Sequence, residues 1–259
     1  MQASAGKIRQ FQVGNLSVRI YETRRDMGEA AATLVADRLR TLSAEHATLP
    51  IIFATGASQL ETLHALTAIP DLPWSRVIGF HLDEYIGIPE SHPASFRRYL
   101  RENLSRRVPI GRFYWIDGSS SDPERVSKEY AMLLHSHPPL LGLLGIGENG
   151  HLAFNDPAEA NFEDPFDVRP VQLDLECRRQ QVAEGWFSKL EDVPEQAITL
   201  TIPAIMRVPE LIVSVPGERK AIIARRTLRD PISAACPATI LRRHPHATLF
   251  LDAESAAAL

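Results

Sequence analysis

Two kinds of pattern alternate along the chain. Apolar runs of five or six residues occur at 51–55, 77–82, 140–145, 210–215 and 247–251. Runs that are apolar on both faces predict strands covered on both sides, as in a parallel sheet. Between them Met27, Ala31, Leu34, Val35, Leu39 and Leu42 return on one helical face, as do the apolar positions within 59–66 and 96–104. Strands alternating with helices predict an α/β fold, a single domain over residues 1–259 built on an open, mostly parallel, doubly wound sheet of the three-layer Rossmann-like kind. The stretch 157–179 is rich in Glu, Asp and Pro and has weak periodicity. It is expected to be irregular surface structure, with residues 158–181 acting as a lid.

Composition narrows the classes of function. Of 259 residues 44% are hydrophobic and 23% charged, which excludes disordered and fibrous chains. With 28 basic and 32 acidic residues the net charge is −4, so neither a nucleic acid nor a membrane surface is an expected partner. A small-molecule ligand remains. The longest apolar stretch, 138–146, is too short to span a membrane, and the opening MQASAGKIRQ lacks the apolar core of a signal peptide. Two distant cysteines, Cys177 and Cys236, form no disulfide framework and suit a reducing compartment, so a cytoplasmic location is expected. A homo-oligomer is left open.

Ligands of open α/β sheets gather where strands end, and four such corners carry candidate chemistry. At Thr55-Gly56-Ala57-Ser58 a strand runs through small residues into a helix, with Ser58 as its expected N-cap and free amides available to an anion. An ordinary strand-to-helix turn has the same signature. At His81-Leu82-Asp83-Glu84-Tyr85 a buried strand meets two carboxylates, which can act as a base or as caps and ion-pair partners. The His81-x-Asp83 spacing could ligate a metal, but without further ligands nearby a core histidine is the simpler reading.

The third corner, Gly145-Ile146-Gly147-Glu148-Asn149-Gly150-His151, contains the formal dinucleotide pattern G-x-G-x-x-G. That pattern needs a helix opening at its last glycine, and Asn155-Asp156-Pro157 follows too soon to allow one. What remains is a glycine turn with His151 five residues before Asp156, the makings of a proton-transfer pair. The fourth corner, Pro216-Gly217-Glu218-Arg219-Lys220, puts Lys220 where it could meet a phosphate, with Arg219 read as a solvated helix start.

T-G-A-S, F-H-L-D-E-Y-I-G-I-P with H-P-A-S-F, G-I-G-E-N-G-H-L-A-F-N-D-P, E-D-V-P-x-x-A-I-T and V-P-G-E-R-K follow one another over about residues 18–252. In that order they resemble the glucosamine-6-phosphate deaminase (isomerase) family. The related 6-phosphogluconolactonases share the fold and a G-H loop, but usually carry D-E-R in place of Asp83-Glu84-Tyr85 and lack the A-F-N-x-P continuation.

The resemblance implies a phosphosugar substrate and a deaminating isomerisation without metal or redox cofactor. It implies Asp83, His151, Asp156 and Asn149 as catalytic residues. Thr55, Gly56, Ala57, Ser58, Glu84, Tyr85, Gly150, Arg178 and Lys220 are the implied binding residues. Lactone hydrolysis and non-catalytic sugar-phosphate sensing are the alternatives.

The chain departs from the family pattern in four places. Ala57-Ser58-Gln59 replaces G-T-P of the phosphate turn, Asn149 replaces an aspartate, and Asp156 replaces a glutamate. The family's phosphate-binding arginine falls on Gly185, so Arg178 or Arg179 is expected to supply that charge. Some members respond to N-acetylglucosamine 6-phosphate through a basic cluster. Here residues 158–169 hold four carboxylates and one arginine, so no such response is expected.

Overall fold

In the computed structural model, which describes residues 7–259, the chain opens with an antiparallel hairpin, β1 (Lys7–Val13) and β2 (Leu16–Tyr21). Residues 1–6, which begin the stretch tested above for a signal peptide, lie outside the described residues. Helix α1 (Arg24–Glu45) is capped by Thr23, whose hydroxyl accepts from the Asp26 amide, and leads to β3 (Leu49–Phe53). Then come α2 (Leu60–Ala68), β4 (Val77–His81), β5 (Asp83–Tyr85) and α3 (Phe96–Leu100), which a π-helical turn prolongs to Ser105. The next elements are β6 (Arg112–Phe113), α4 (Pro123–Ser136) and β7 (Leu141–Leu144). The last part comprises β8 (Val168–Gln172), α5 (Leu175–Ala183), β9 (Gln196–Leu200), α6 (Ile202–Met206), β10 (Leu211–Val215), α7 (Ala221–Arg229) and β11 (Ala247–Asp252).

Eight strands form one sheet in the order β1-β2-β11-β10-β7-β3-β4-β6, parallel throughout except for the β1–β2 hairpin. The five sequence runs are its five central parallel strands, with ends displaced by no more than two residues. Alternation along these strands divides the core into layers. Ile51, Phe53, Leu141, Leu143 and Ile212 pack with α1 and α2 on one face. Ile52, Leu144, Leu211, Val213, Leu249 and Leu251 pack with α4 and α7 on the other.

A second, three-stranded sheet, β5-β9-β8, is antiparallel and encloses its own cluster of Tyr85, Phe154, Val171, Phe187 and Ala197. It overturns the expectation of an irregular 157–179: Val168–Gln172 is a strand and Leu175–Ala183 a helix. Their periodicity was weak because the strand contains Pro170 and the helix turns polar residues toward a cavity. No helix among the described residues is long and apolar enough to cross a membrane.

Candidate active site

A cavity of about 290 Å³ opens where β3, β4, β7 and β10 end, and residues of three corners and of β5 line it: Thr55 to Ser58, Asp83, His151 and Lys220. At the first corner Gly56 has φ +92°, a conformation that L side chains rarely adopt, and from it a 3₁₀ turn (Ala57–Gln59) leads into α2. Ser58 therefore lies inside the turn and is not the N-cap expected; Gly56 holds that position with no side-chain bond. The Gln59 amide bonds the Gly56 carbonyl at 3.1 Å, whereas the amides of Ala57 and Ser58 precede the first closed turn and stay available to an anion. The corner after β10 repeats this geometry: Gly217 also has φ +92°, and a 3₁₀ turn (Glu218–Lys220) precedes α7. That turn carries Lys220 inward, where its Nζ donates to the Ile146 carbonyl at 2.9 Å and burial pushes its pKa down.

The adjacent carboxylates of β5 have different surroundings. Asp83 faces the cavity, and its carboxylate has no hydrogen-bond donor among the described residues. Burial, with the Glu84 charge behind it, raises its pKa well above the usual aspartate value, which makes it a stronger base. Glu84 is fully buried behind it. Its Oε1 accepts from the Tyr85 and Phe96 amides at 3.0 and 3.1 Å, and its Oε2 from Ser95 Oγ and the Arg97 amide at 2.8 and 3.0 Å. Burial leaves the Glu84 pKa raised although these donors pull it down. Tyr85 lies among Phe96, Phe154 and Phe187. Neither Glu84 nor Tyr85 lines the cavity, which corrects their assignment to substrate binding: they hold the start of α3 and the small sheet in place.

His81 is no metal ligand. Its Nε2 accepts from the Ile116 amide at 2.8 Å, so its Nδ1 carries the proton and donates to the Asp83 carbonyl at 2.8 Å. Complete burial lowers its pKa to about 3, and it stays neutral while fixing the backbone that bears Asp83.

In the glycine turn no helix opens at Gly150, so the dinucleotide pattern is formal only. Gly150 does not line the cavity; its φ of +94° turns the chain that presents His151. The imidazole lies against Gly147, where a Cβ would come within 2.2 Å of its Cε1. Its Nδ1 donates to Asp156 Oδ1 at 2.9 Å, which leaves Nε2 as the acceptor. Burial alone would raise the Asp156 pKa, but the bonds from His151, Asn149 and the Asp174 amide outweigh it and hold the carboxyl below the usual range. Asp156 and Asn149 stand behind the histidine and do not line the cavity. His151, Asp156 and Cys177 bring ligand atoms within 4.8 Å of one another, the one such group among the described residues. Burial and then the Asp156 and Asp174 charges push the Cys177 thiol pKa well up, which keeps it protonated and a poor metal ligand.

The arginine expectation is overturned. On α5 and its C-cap the cavity-facing positions are Gln180, Gln181 and Glu184, and 100° per residue turns Arg178 and Arg179 away from them. Arg178 instead donates to the carbonyls of Leu190 and Val193, each at 3.0 Å, and Arg179 is exposed. The cation bonded to the Ala57 turn is Arg24, at the start of α1, which sequence reasoning missed. It donates to the Ala57 carbonyl and pairs with Glu61 at 2.6 Å, leaving Nη1 without a partner among the described residues. Only its place as the first residue after an N-cap could have drawn attention to it. Arg219 also lines the cavity, paired with Glu148 at 2.9 Å, and is not merely a solvated helix start.

Residues 22–250 match the model of the glucosamine-6-phosphate isomerases/6-phosphogluconolactonase family. A glucosamine-6-phosphate deaminase of Bacillus thuringiensis (strain Al Hakam) is 34% identical over 240 residues, covering 93% of this chain and 88% of that protein. The solved structure of a monomeric glucosamine-6-phosphate deaminase superposes with a TM-score of 0.86 at 26% identity, over 93% of this chain and 99% of the other. A 6-phosphogluconolactonase from Trypanosoma brucei shares the fold with a TM-score of 0.77 at 20% identity, over 97% and 100% of the two chains.

Proposed function

Because the chain belongs to the glucosamine-6-phosphate isomerase/6-phosphogluconolactonase family, we propose that it converts glucosamine 6-phosphate and water to fructose 6-phosphate and ammonia. The observation that carries this reading is Asp83, a carboxylate without a donor among the described residues and with a raised pKa, in the same cavity as His151 and Lys220.

The phosphate sits at the Ala57 and Ser58 amides, with Lys220 and Arg24 supplying positive charge, and this contact orients the sugar. His151 Nε2 relays the proton between the ring oxygen and O1 that opens the pyranose, and Asp156 stabilises the imidazolium formed on the way. Asp83 takes the C2 proton of the open aldehyde and returns it at C1. With a proton delivered to O1, C2 becomes an imine; water adds there and ammonia leaves. Proton transfers accompany the two bond cleavages, C1–O5 on ring opening and C2–N as ammonia leaves, and the addition of water to the C2 imine. A well-placed acid or base contributes about 10²- to 10⁴-fold.

The test is ammonia release from glucosamine 6-phosphate by the purified protein and by Asp83→Asn, with 6-phosphogluconolactone assayed in parallel. Ammonia from the parent alone supports the reading. Hydrolysis of the lactone without ammonia replaces it with a lactonase, and binding of either compound without turnover replaces it with a sensor.

A further inference from the structure

Asn149 stands where the resembled family often carries an aspartate, and its surroundings explain why a carboxamide is there. Its Nδ2 has two hydrogens and donates to two carboxylates, Asp156 Oδ1 at 2.9 Å and Asp174 Oδ2 at 3.1 Å. Its Oδ1 accepts from the His151 amide at 3.0 Å. Asp174 is bound from the other side too: its amide donates to Asp156 Oδ2 at 3.1 Å, and its Oδ1 accepts from the Cys177 amide and caps α5. Asn149 is 4% exposed and Asp156 0%, so water cannot cheaply replace the bond between them; Asp174 is half-buried. An aspartate at 149 would have the same shape and no hydrogens, and would face two carboxylates at distances now spanned by N–H···O bonds.

We propose that Asp174 is a positioning residue for the histidine relay, and that it works only with a carboxamide at position 149 to bridge it to Asp156. In this chain the head of α5 supplies a second carboxylate to the Asn149 carboxamide. The inference rests on the assignment of His151 and Asp156 to proton transfer, but the bridge itself can be tested without that assignment.

The experiment is a double-mutant cycle of Asn149→Asp, Asp174→Asn and their combination, read by thermal melting and by kcat and KM for ammonia release. Asn149→Asp is expected to lower the melting temperature and to cut kcat about tenfold or more, with KM within about threefold because the phosphate contacts lie on other corners. Asp174→Asn keeps a good N-cap and loses less. The combination has two carboxylates where Asn149→Asp has three, and its carboxamide at position 174 can donate to the carboxylate at position 149. It is expected to exceed Asn149→Asp by about tenfold in kcat and to recover melting temperature, a coupling that independent sites do not show.

Parent-like or faster turnover by Asn149→Asp, or effects that simply add, would overturn the proposal. If Asn149→Asp does not fold, recovery of folded protein by the combination is the supporting result and failure to recover the overturning one. A coupled melting cycle in a parent that releases no ammonia would uphold the bridge and reject the reaction.

Discussion

The adjacent carboxylates Asp83 and Glu84 should respond in opposite ways to the same isosteric change. In Glu84→Gln one oxygen becomes an NH₂ group facing two of the four donors that converge on this carboxylate, at 2.8 to 3.1 Å. Two hydrogen bonds to a charged acceptor are lost, each contributing about 1.5–3 kcal/mol, so the cost is ~3–6 kcal/mol. At ~2–4 °C per kcal/mol for a chain somewhat below this size, the melting temperature should fall by ~6–24 °C. Asp83→Asn breaks no such bond and removes a buried charge. A folded-state pKa raised above the unfolded value near 3.9 means that the ionised carboxylate carries no penalty below that pH. The penalty grows as pH rises toward the raised pKa and is complete above it. Asp83→Asn should therefore melt at or above the parent temperature at neutral pH while losing ~10²- to 10⁴-fold in turnover. Melting curves and ammonia release measured on both proteins decide the matter. Glu84→Gln melting within about 2 °C of the parent, or Asp83→Asn turning over within about threefold of it, would refute the division of labour.

His151→Gln should slow cyclic substrate far more than an analogue already in the open form. Gly147→Ala should show the same split, because its Cβ would displace the imidazole; equal losses on both substrates would remove the ring-opening role. Lys220→Ala should raise KM about 10- to 150-fold, the equivalent of one charge-assisted bond, and Arg24→Gln should raise it less because Glu61 and solvent already share that charge; competitive inhibition by inorganic phosphate, unchanged in both variants, would contradict this. Turnover should rise with pH through the raised Asp83 pKa and substrate affinity should fall at alkaline pH as Lys220, with its lowered pKa, loses its proton; an acid limb at an ordinary aspartate value in the pH–rate profile would refute the base assignment. N-acetylglucosamine 6-phosphate should leave initial rates hyperbolic and unchanged, since Arg169, the one cation in 158–169, is bonded to Asp164 at 2.8 Å and Glu159 at 2.9 Å; a sigmoidal curve made hyperbolic by the compound would reveal an effector site elsewhere.

The parts legible in the sequence are those whose surroundings are uniform. Five central strands are buried on both faces, so each reads as an apolar run whatever its neighbours. Strand β5 reads as Asp-Glu-Tyr, and its charges are tolerable because Glu84 meets four hydrogen-bond donors and the Arg97 guanidinium at 3.4 Å and Asp83 a cavity, none of which is visible in the sequence. Helix α5 presents Gln180 and Gln181 inward, as its C-cap presents Glu184, so burial and hydrophobicity part company and the helical period disappears. The corners were legible because each joins a strand end to reactive residues over a few positions. Arg24 and Asp174 were not, because each reaches the site from another element, 33 residues from Ala57 in one case and 25 from Asn149 in the other.

The proposed base and the proposed phosphate anchor belong to different sheets. The chain leaves the large sheet at His81 and enters the small one at Asp83, with Leu82 accepting from the Leu200 amide at the crossing and His81 holding the Asp83 carbonyl. The turn at Ala57 and Ser58 stays on the large sheet. The separation of Asp83 from that turn is therefore set by the packing of one sheet on the other, and not by a loop that can stretch. Such a gauge measures the number of carbons between the reacting carbon and the phosphate. A pentose analogue anchored at the same turn falls one carbon short of Asp83, and misplacement by about 1 Å can cost on the order of 10²-fold in rate. On the proposed reading, selection for chain length would come from the contact between the layers.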